Sequence, residues 1–193
     1  MTDQTVLTDK ERELVAIGAA IGAGCQPCTH YHVTAALKSG LSGEEIGRAV
    51  DAAEDLRQEG GLAVANLGRR LLGIEQQPSR WNGSPSDRAQ ALTYIGAAAG
   101  CNAGGLLTPS LDAARELGLS PDELRSALEM AEVVKQHAAA FLRRDAERAL
   151  PEAASTAAAP NGSLQSCAGA ECSSEPALST DEVGTSTGGV SCC

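Results

Sequence analysis

The chain has 193 residues, 42% apolar but only 2% aromatic (Tyr31, Trp81, Tyr94 and Phe141), and 25 acidic against 15 basic side chains give a net charge of −10. That charge repels phosphate backbones and four scattered aromatics offer no stacking platform, so no nucleic-acid partner is expected. No apolar run approaches the roughly 20 residues that span a bilayer, and Met1 to Arg12 is polar without a signal-peptide core, so no membrane partner and a cytoplasmic location are expected, where cysteines are more often redox-active or metal-binding than structural.

With so few large side chains, Ala, Leu, Ile and Val must fill the core, which favours closely approaching helices. Thr8-x-x-Glu11 is a capping box that opens a helix running to about Gly24. Pro27 suits the first turn of a second helix, closed at Gly40. Ser42-x-x-Glu45 opens a third, with Ile46, Ala49, Val50 and Ala53 on one face, and Leu62 to Leu72 reads as a fourth, ended by Gly73. Glu75 to Ser86, with two prolines and Asn82-Gly83, is a loop. Asp87 to Gly100 and Thr108-Pro109 to Leu117 follow, and Ser120-Pro121-x-Glu123 starts a long last helix reaching about Ala149. No stretch reads as a strand, so the expected fold class is all-α.

After Leu150 the composition shifts. Pro151 to Cys193 is rich in Ala, Ser, Thr, Gly and Pro, holds five acids (Glu152, Glu171, Glu175, Asp181 and Glu182) and has no Lys or Arg. Such a segment buries too little apolar surface to offset its ordering entropy, so residues 151–193 are expected to form a disordered tail behind a domain of residues 1–150. It carries four of the seven cysteines: Cys167, Cys172, Cys192 and Cys193.

The domain contains an internal repeat. A shift of 78 residues lays Leu14, Ile17, Gly18, Ala19, Ala20 and Gly22 on Leu92, Ile95, Gly96, Ala97, Ala98 and Gly100. The same shift lays Gly40-Leu41-Ser42, Glu45, Ala49 and Ala53-Glu54 on Gly118-Leu119-Ser120, Glu123, Ala127 and Ala131-Glu132. A duplicated helical unit follows, with copies at about 8–73 and 86–150. The second copy lacks the polar residues of the first. Glu13, Cys25, Cys28 and His32 face Ala91, Ala103, Leu106 and Ser110. Cys101 falls opposite neither cysteine and reads as a buried small hydrophobe.

Cys25-Gln26-Pro27-Cys28-x3-His32 begins a helix, so both sulfurs lie near its N-terminus and His32 sits one turn beyond Cys28 on the same face. A helix N-terminus stabilises a thiolate, and an imidazole can take its proton. Two cysteines three apart can close a disulfide. Glu13, on the preceding antiparallel helix, can orient or protonate His32. A zinc site would have three ligands, Cys25, Cys28 and His32, with a fourth from His30 or elsewhere. A c-type haem would need His at position 29, where the chain has Thr29. A dithiol redox centre is the expected reading.

Glu-x11-Cys-x2-Cys-x3-His resembles the core motif of the alkylhydroperoxidase D-like (AhpD-like) proteins of the carboxymuconolactone decarboxylase superfamily. Leu14-Val-Ala-Ile-Gly-Ala-Ala, His32-x2-Ala-Ala-Leu-Lys-x-Gly and Glu44-Glu45-Ile resemble that family too. The resemblance implies an all-helical, duplicated fold assembled as a homo-oligomer, a trimer or hexamer. It implies a redox-active dithiol without a bound cofactor, acting on a peroxide or disulfide substrate and regenerated by a dithiol donor, thioredoxin-like or lipoylated. Cys28 would be the thiol oxidised to a sulfenic acid; Cys25, nearer the surface, would resolve it; His32 would be the base, relayed through Glu13. The peroxidase prototype has a further His immediately before its second Cys, where this chain has Pro27. The ring-opening decarboxylase branch does not use such a dithiol.

An alternative gives weight to the tail. Adjacent Cα atoms, about 3.8 Å apart, are too close for a relaxed disulfide between Cys192 and Cys193. Vicinal thiols can instead bind a soft metal or metalloid such as mercury or arsenic, with Cys167 and Cys172 as further ligands, which would make the protein a soft-metal(loid) binding or transfer protein that uses the tail cysteines with the Cys25–Cys28 site.

Overall fold

The computed structural model describes residues 7–79, 81 and 84–150, which form six helices with no strand among the described residues. They are α1 (Asp9–Gly22), α2 (Gln26–Lys38), α3 (Gly43–Leu71), α4 (Arg88–Gly100), α5 (Gly104–Glu116) and α6 (Pro121–Ala149). The order short, short, long occurs twice, and α3 and α6 each run 29 residues, about 43 Å at 1.5 Å per residue. The tail expected at 151–193, with its cysteines, lies outside the described residues.

Local chemistry sets the helix starts. Thr8, Ser42 and Ser120 each close a reciprocal capping box with a glutamate three residues on, satisfying two otherwise orphaned N–H groups. Two elements differ from the sequence reading. The expected third and fourth helices are one, α3, because Gly60 and Gly61 do not take the left-handed conformation that ends a helix; that comes only at Gly73, with φ +68°. Gly60 instead admits a neighbour: a Cβ there would lie 3.1 Å from Cys101 Sγ and 3.2 Å from Ala103 Cβ. Helix α5 starts at Gly104 rather than Thr108 and carries Pro109 inside it. The repeat register explains this start, since α2 begins at Gln26, the counterpart of Gly104.

The centre is the pair α1 and α4, each also touching both long helices. Leu14 to Gly22 of α1 are buried without interruption, as are Ala91 to Ala98 of α4. Burial all round requires small residues at the crossing. A Cβ on Gly18 would run into the carbonyl oxygen of Thr93, and one on Gly96 into that of Val15. Gly22 stands the same way against Ala97, and Gly100 against Ala19. Val15 and Thr93, like Ala19 and Ala97, are repeat counterparts, so each contact occurs twice about a pseudo-two-fold axis.

The outer helices then form two apolar clusters. One holds Leu56, Ile46 and Ala53 of α3 with Ile17, Ala97 and Leu106. The other holds Leu124, Ala131 and Val134 of α6 with Val15, Ile95, Cys25 and Cys28. The start of α5 therefore packs towards α3, and the start of α2 towards α6.

Candidate active site

Helix α2 starts after a tight turn at Gly24, whose φ of +67° favours glycine; its counterpart Asn102 takes φ +56°. Cys25 is the N-cap of α2, and its Sγ accepts the Cys28 backbone N–H at 3.2 Å. Cys28 stands at the third helical position, and Pro27 fills one whose N–H would have no helical partner. The two sulfurs are joined as a disulfide, with Cα atoms 5.3 Å apart. The spacing Cys-x2-Cys brings them together because one helical turn separates the cap from the third residue.

Both cysteines are buried, Cys25 at 7% and Cys28 at 4% exposure. The expectation that Cys25 is nearer the surface is therefore met only in a narrow sense. Cys25 borders an open cleft of about 420 Å3 and Cys28 does not; the other walls include Asn102, Lys135, Ala138, Phe141 and Leu142. A molecule entering there meets Cys25 first. Most of that wall comes from α6, in the other repeat.

His32 lies four residues beyond Cys28 on α2. Its Nδ1 is 2.9 Å from Glu13 Oε2 of α1, and both side chains are largely buried. The Tyr31 ring meets the His32 ring edge-on, centroids 5.0 Å apart. With Nδ1–H donated to the carboxylate, Nε2 is the nitrogen left to take or give a proton. All four residues of the expected constellation thus sit on α1 and the first two turns of α2. His30 is exposed.

Among the described residues no group of three or more His, Cys, Asp or Glu side chains could hold a metal ion. The alternative ligands Cys167, Cys172, Cys192 and Cys193 lie outside the described residues. Cys101 is half-buried rather than buried, beside Gly60; burial pushes its thiol pKa up.

In the second copy the corresponding positions carry no thiol or imidazole. Ala103 caps α5 without a side-chain bond, Leu106 is buried where Cys28 would be, and Ser110 turns its hydroxyl onto the Leu106 carbonyl at 2.7 Å. Ala91, in the place of Glu13, is fully buried.

A further polar network ties the copies together. Arg88, at the start of α4, donates to Glu11 of α1 and to Glu123 of α6, each at 2.6 Å. The Ser120 backbone N–H, with Arg88 and the Ser120 hydroxyl, holds the Glu123 carboxyl down at about 2. Burial pushes Glu11 up, but bonds from Arg88 and Thr8 outweigh it and leave the carboxyl below its usual range.

No single local motif marks the α6 wall of the cleft. Lys135, Ala138 and Phe141 reach Cys25 only through the fold, although Lys135 is the repeat counterpart of Arg57, a basic residue shared by the two copies.

The carboxymuconolactone decarboxylase family matches residues 1–65, which hold Glu13, Cys25, Cys28 and His32. Among solved structures, a chain described as a gamma-carboxymuconolactone decarboxylase subunit from Burkholderia xenovorans LB400 superposes with a TM-score of 0.51 at 15% identity. The match covers 75% of this chain and 80% of that one. At that identity the likeness extends to the helical fold. No curated protein matches the chain.

Proposed function

We propose that the protein is a thiol-dependent oxidoreductase, a peroxidase or disulfide reductase, whose reacting centre is Cys25–Cys28; the match of residues 1–65 to the carboxymuconolactone decarboxylase family and the likeness of their motif to its AhpD-like members support the reading. One observation carries the reading: the disulfide stands at the start of the helix that also holds His32, and His32 is bonded to Glu13 at 2.9 Å. A buried Glu–His pair with no dithiol beside it would be unremarkable core polarity. With its His32 one helical turn beyond Cys28 on the same helix, it serves as a proton store for thiol chemistry.

In the reduced protein, His32 Nε2 takes the Cys28 thiol proton. The thiolate attacks the distal oxygen of a hydroperoxide; the O–O bond breaks, and the alkoxide receives a proton from the imidazolium, leaving Cys28 sulfenic acid and an alcohol. The Cys25 sulfur displaces the sulfenic oxygen as water and the disulfide forms. A donor dithiol then attacks at Cys25, the sulfur bordering the cleft, and leaves as the donor's own disulfide with both protein thiols restored. Glu13 keeps the imidazole oriented for both transfers.

No bound cofactor is needed for these steps. The protein is proposed to act in the cytoplasm, and as a homo-oligomer. For the latter, Val64, Leu67 and Leu71 stand exposed along the end of α3, with Leu72 and Ile74 beyond them, an apolar edge that a second copy would cover.

The test is hydroperoxide consumption by the full chain with a small dithiol such as dihydrolipoamide. His32→Gln should lower the rate about 100-fold, the lower end of what a positioned acid–base group contributes, and Cys28→Ser should abolish it. Turnover unchanged in both variants would overturn the reading. Lactone decarboxylation, named for the Burkholderia chain, would then be the activity to assay.

A further inference from the structure

We propose that Arg57 of α3 and Lys135 of α6 are a matched pair of positioning residues that keep Cys25 as a thiolate in the reduced protein. The pair is built into the duplication, because the 78-residue shift carries Arg57 onto Lys135. Arg57 lies over the turn before Cys25: its Nη2 is 3.0 Å from where a Gly24 Cβ would stand. Lys135 lines the same cleft as Gly24 and Cys25. Each long helix thus brings one cation to the N-terminus of α2, where Cys25 Sγ already accepts a backbone N–H. Any side chain larger than hydrogen at Gly24 would crowd Arg57 away.

The other charged groups near Cys25 leave the balance positive. Asp145 lines the cleft but bonds Arg148 at 3.4 Å. Glu132 reaches Lys135 only at 3.9 Å and is largely exposed. Glu13 is engaged with His32. In the second copy the position of Cys25 is Ala103; burial pushes the Cys101 thiol pKa up and outweighs the opposing charge of Arg57 there.

The consequence falls on two steps. Cys25 as thiolate attacks the Cys28 sulfenic sulfur; the S–O bond breaks, the oxygen leaves as hydroxide and takes a proton to become water. When a donor dithiol attacks at Cys25, Cys28 leaves as thiolate; the donor's second thiol then breaks the mixed disulfide, and the same cations stabilise Cys25 as the thiolate released. Cys25 is then the thiol with the lower pKa, and Cys28 the one that depends on His32.

This inference rests on the reading of Cys25–Cys28 as an exchangeable dithiol, but its test needs no turnover. The full chain is reduced, and alkylation at Cys25 is followed by peptide mass mapping across pH with neutral iodoacetamide and anionic iodoacetate. A unit charge about 6 Å away in water is worth about a threefold change in a charge equilibrium. Arg57→Gln and Lys135→Gln should each slow Cys25 alkylation at neutral pH about threefold and move the profile to higher pH. The double variant should lose about tenfold, with iodoacetate affected more than iodoacetamide. Arg57→Lys and Lys135→Arg should retain the wild-type profile, which a merely structural role would not require. An unchanged profile in the double variant overturns the proposal, and one that moves with a single charge overturns the pairing. If the profiles shift as expected while peroxide and disulfide turnover are absent, only the functional reading falls.

Discussion

The starts of α2 and α5 are the same place in two copies of one unit, and they have opposite fates. Around α2 stand a disulfide between Cys25 and Cys28, the partly buried Glu13–His32 pair, and an open cleft beside Cys25. Around α5, Ala103, Leu106 and Ser110 stand at the same positions with carbon and a self-satisfied hydroxyl. The glycines that let α1 and α4 touch are retained in both copies, because a methyl at any of them would meet backbone that cannot turn aside. Packing constraints are shared between the copies; the set Glu13, Cys25, Cys28 and His32 has no counterpart in the second.

That division can be broken deliberately. The largest effect is expected at the crossing. Gly18→Ala and Gly96→Ala should each cost about 3 kcal/mol or more, and by similar amounts, since overpacking here strains main chain rather than side chains. Urea unfolding of the two variants checks it, and a marked inequality would mean the halves do not share the core evenly. Next, Glu13→Gln should lower peroxide turnover by about tenfold or more, whereas Ser110→Ala, at the counterpart of His32, should leave turnover unchanged. Steady-state rates of both distinguish an active copy from a scaffold copy.

A smaller effect is expected from the charges joining the copies. Glu123 and Glu11 have folded pKa values below the ordinary carboxylate range. A depressed carboxyl stabilises the fold above its unfolded pKa and loses that contribution as pH falls towards the folded value, here about 2 for Glu123. Stability of the wild type should therefore fall as pH drops from about 5 to about 3, and Arg88→Gln should fall less steeply over the same range. Lys10, the counterpart of Arg88, contributes only its nearby charge to Glu45, and Lys10→Gln should change this slope little. The smallest effect is expected at the caps: Ser42→Ala and Ser120→Ala should each cost about 1 kcal/mol, again alike, as thermal unfolding can show.

Much of this was legible from the residues. Capping boxes at Thr8, Ser42 and Ser120 mark helix starts because their chemistry is local. Glu13 and His32 could be paired because a tight turn between two short helices leaves few geometries. The fused α3 was not legible: Gly60-Gly61 reads as a break until Cys101 and Ala103 are seen filling the space that a side chain would occupy. The early start of α5 was hidden for a related reason, since Pro109 resembles a first-turn proline and only the register with α2 places it deeper. The cleft was least legible of all, its walls coming from residues that share it with Cys25 only after both repeats have folded.

The central claim is that the first copy alone holds a dithiol that gains and loses electrons. Its most direct test is peptide-mapped mass spectrometry of the fully reduced chain, before and after less than one equivalent of hydroperoxide. The account predicts that two hydrogens are lost from the peptide joining Cys25 and Cys28, with Cys25→Ser trapping a sulfenic acid on Cys28. Oxidation first at Cys101, Cys167, Cys172, Cys192 or Cys193, with Cys25 and Cys28 still reduced, would contradict it.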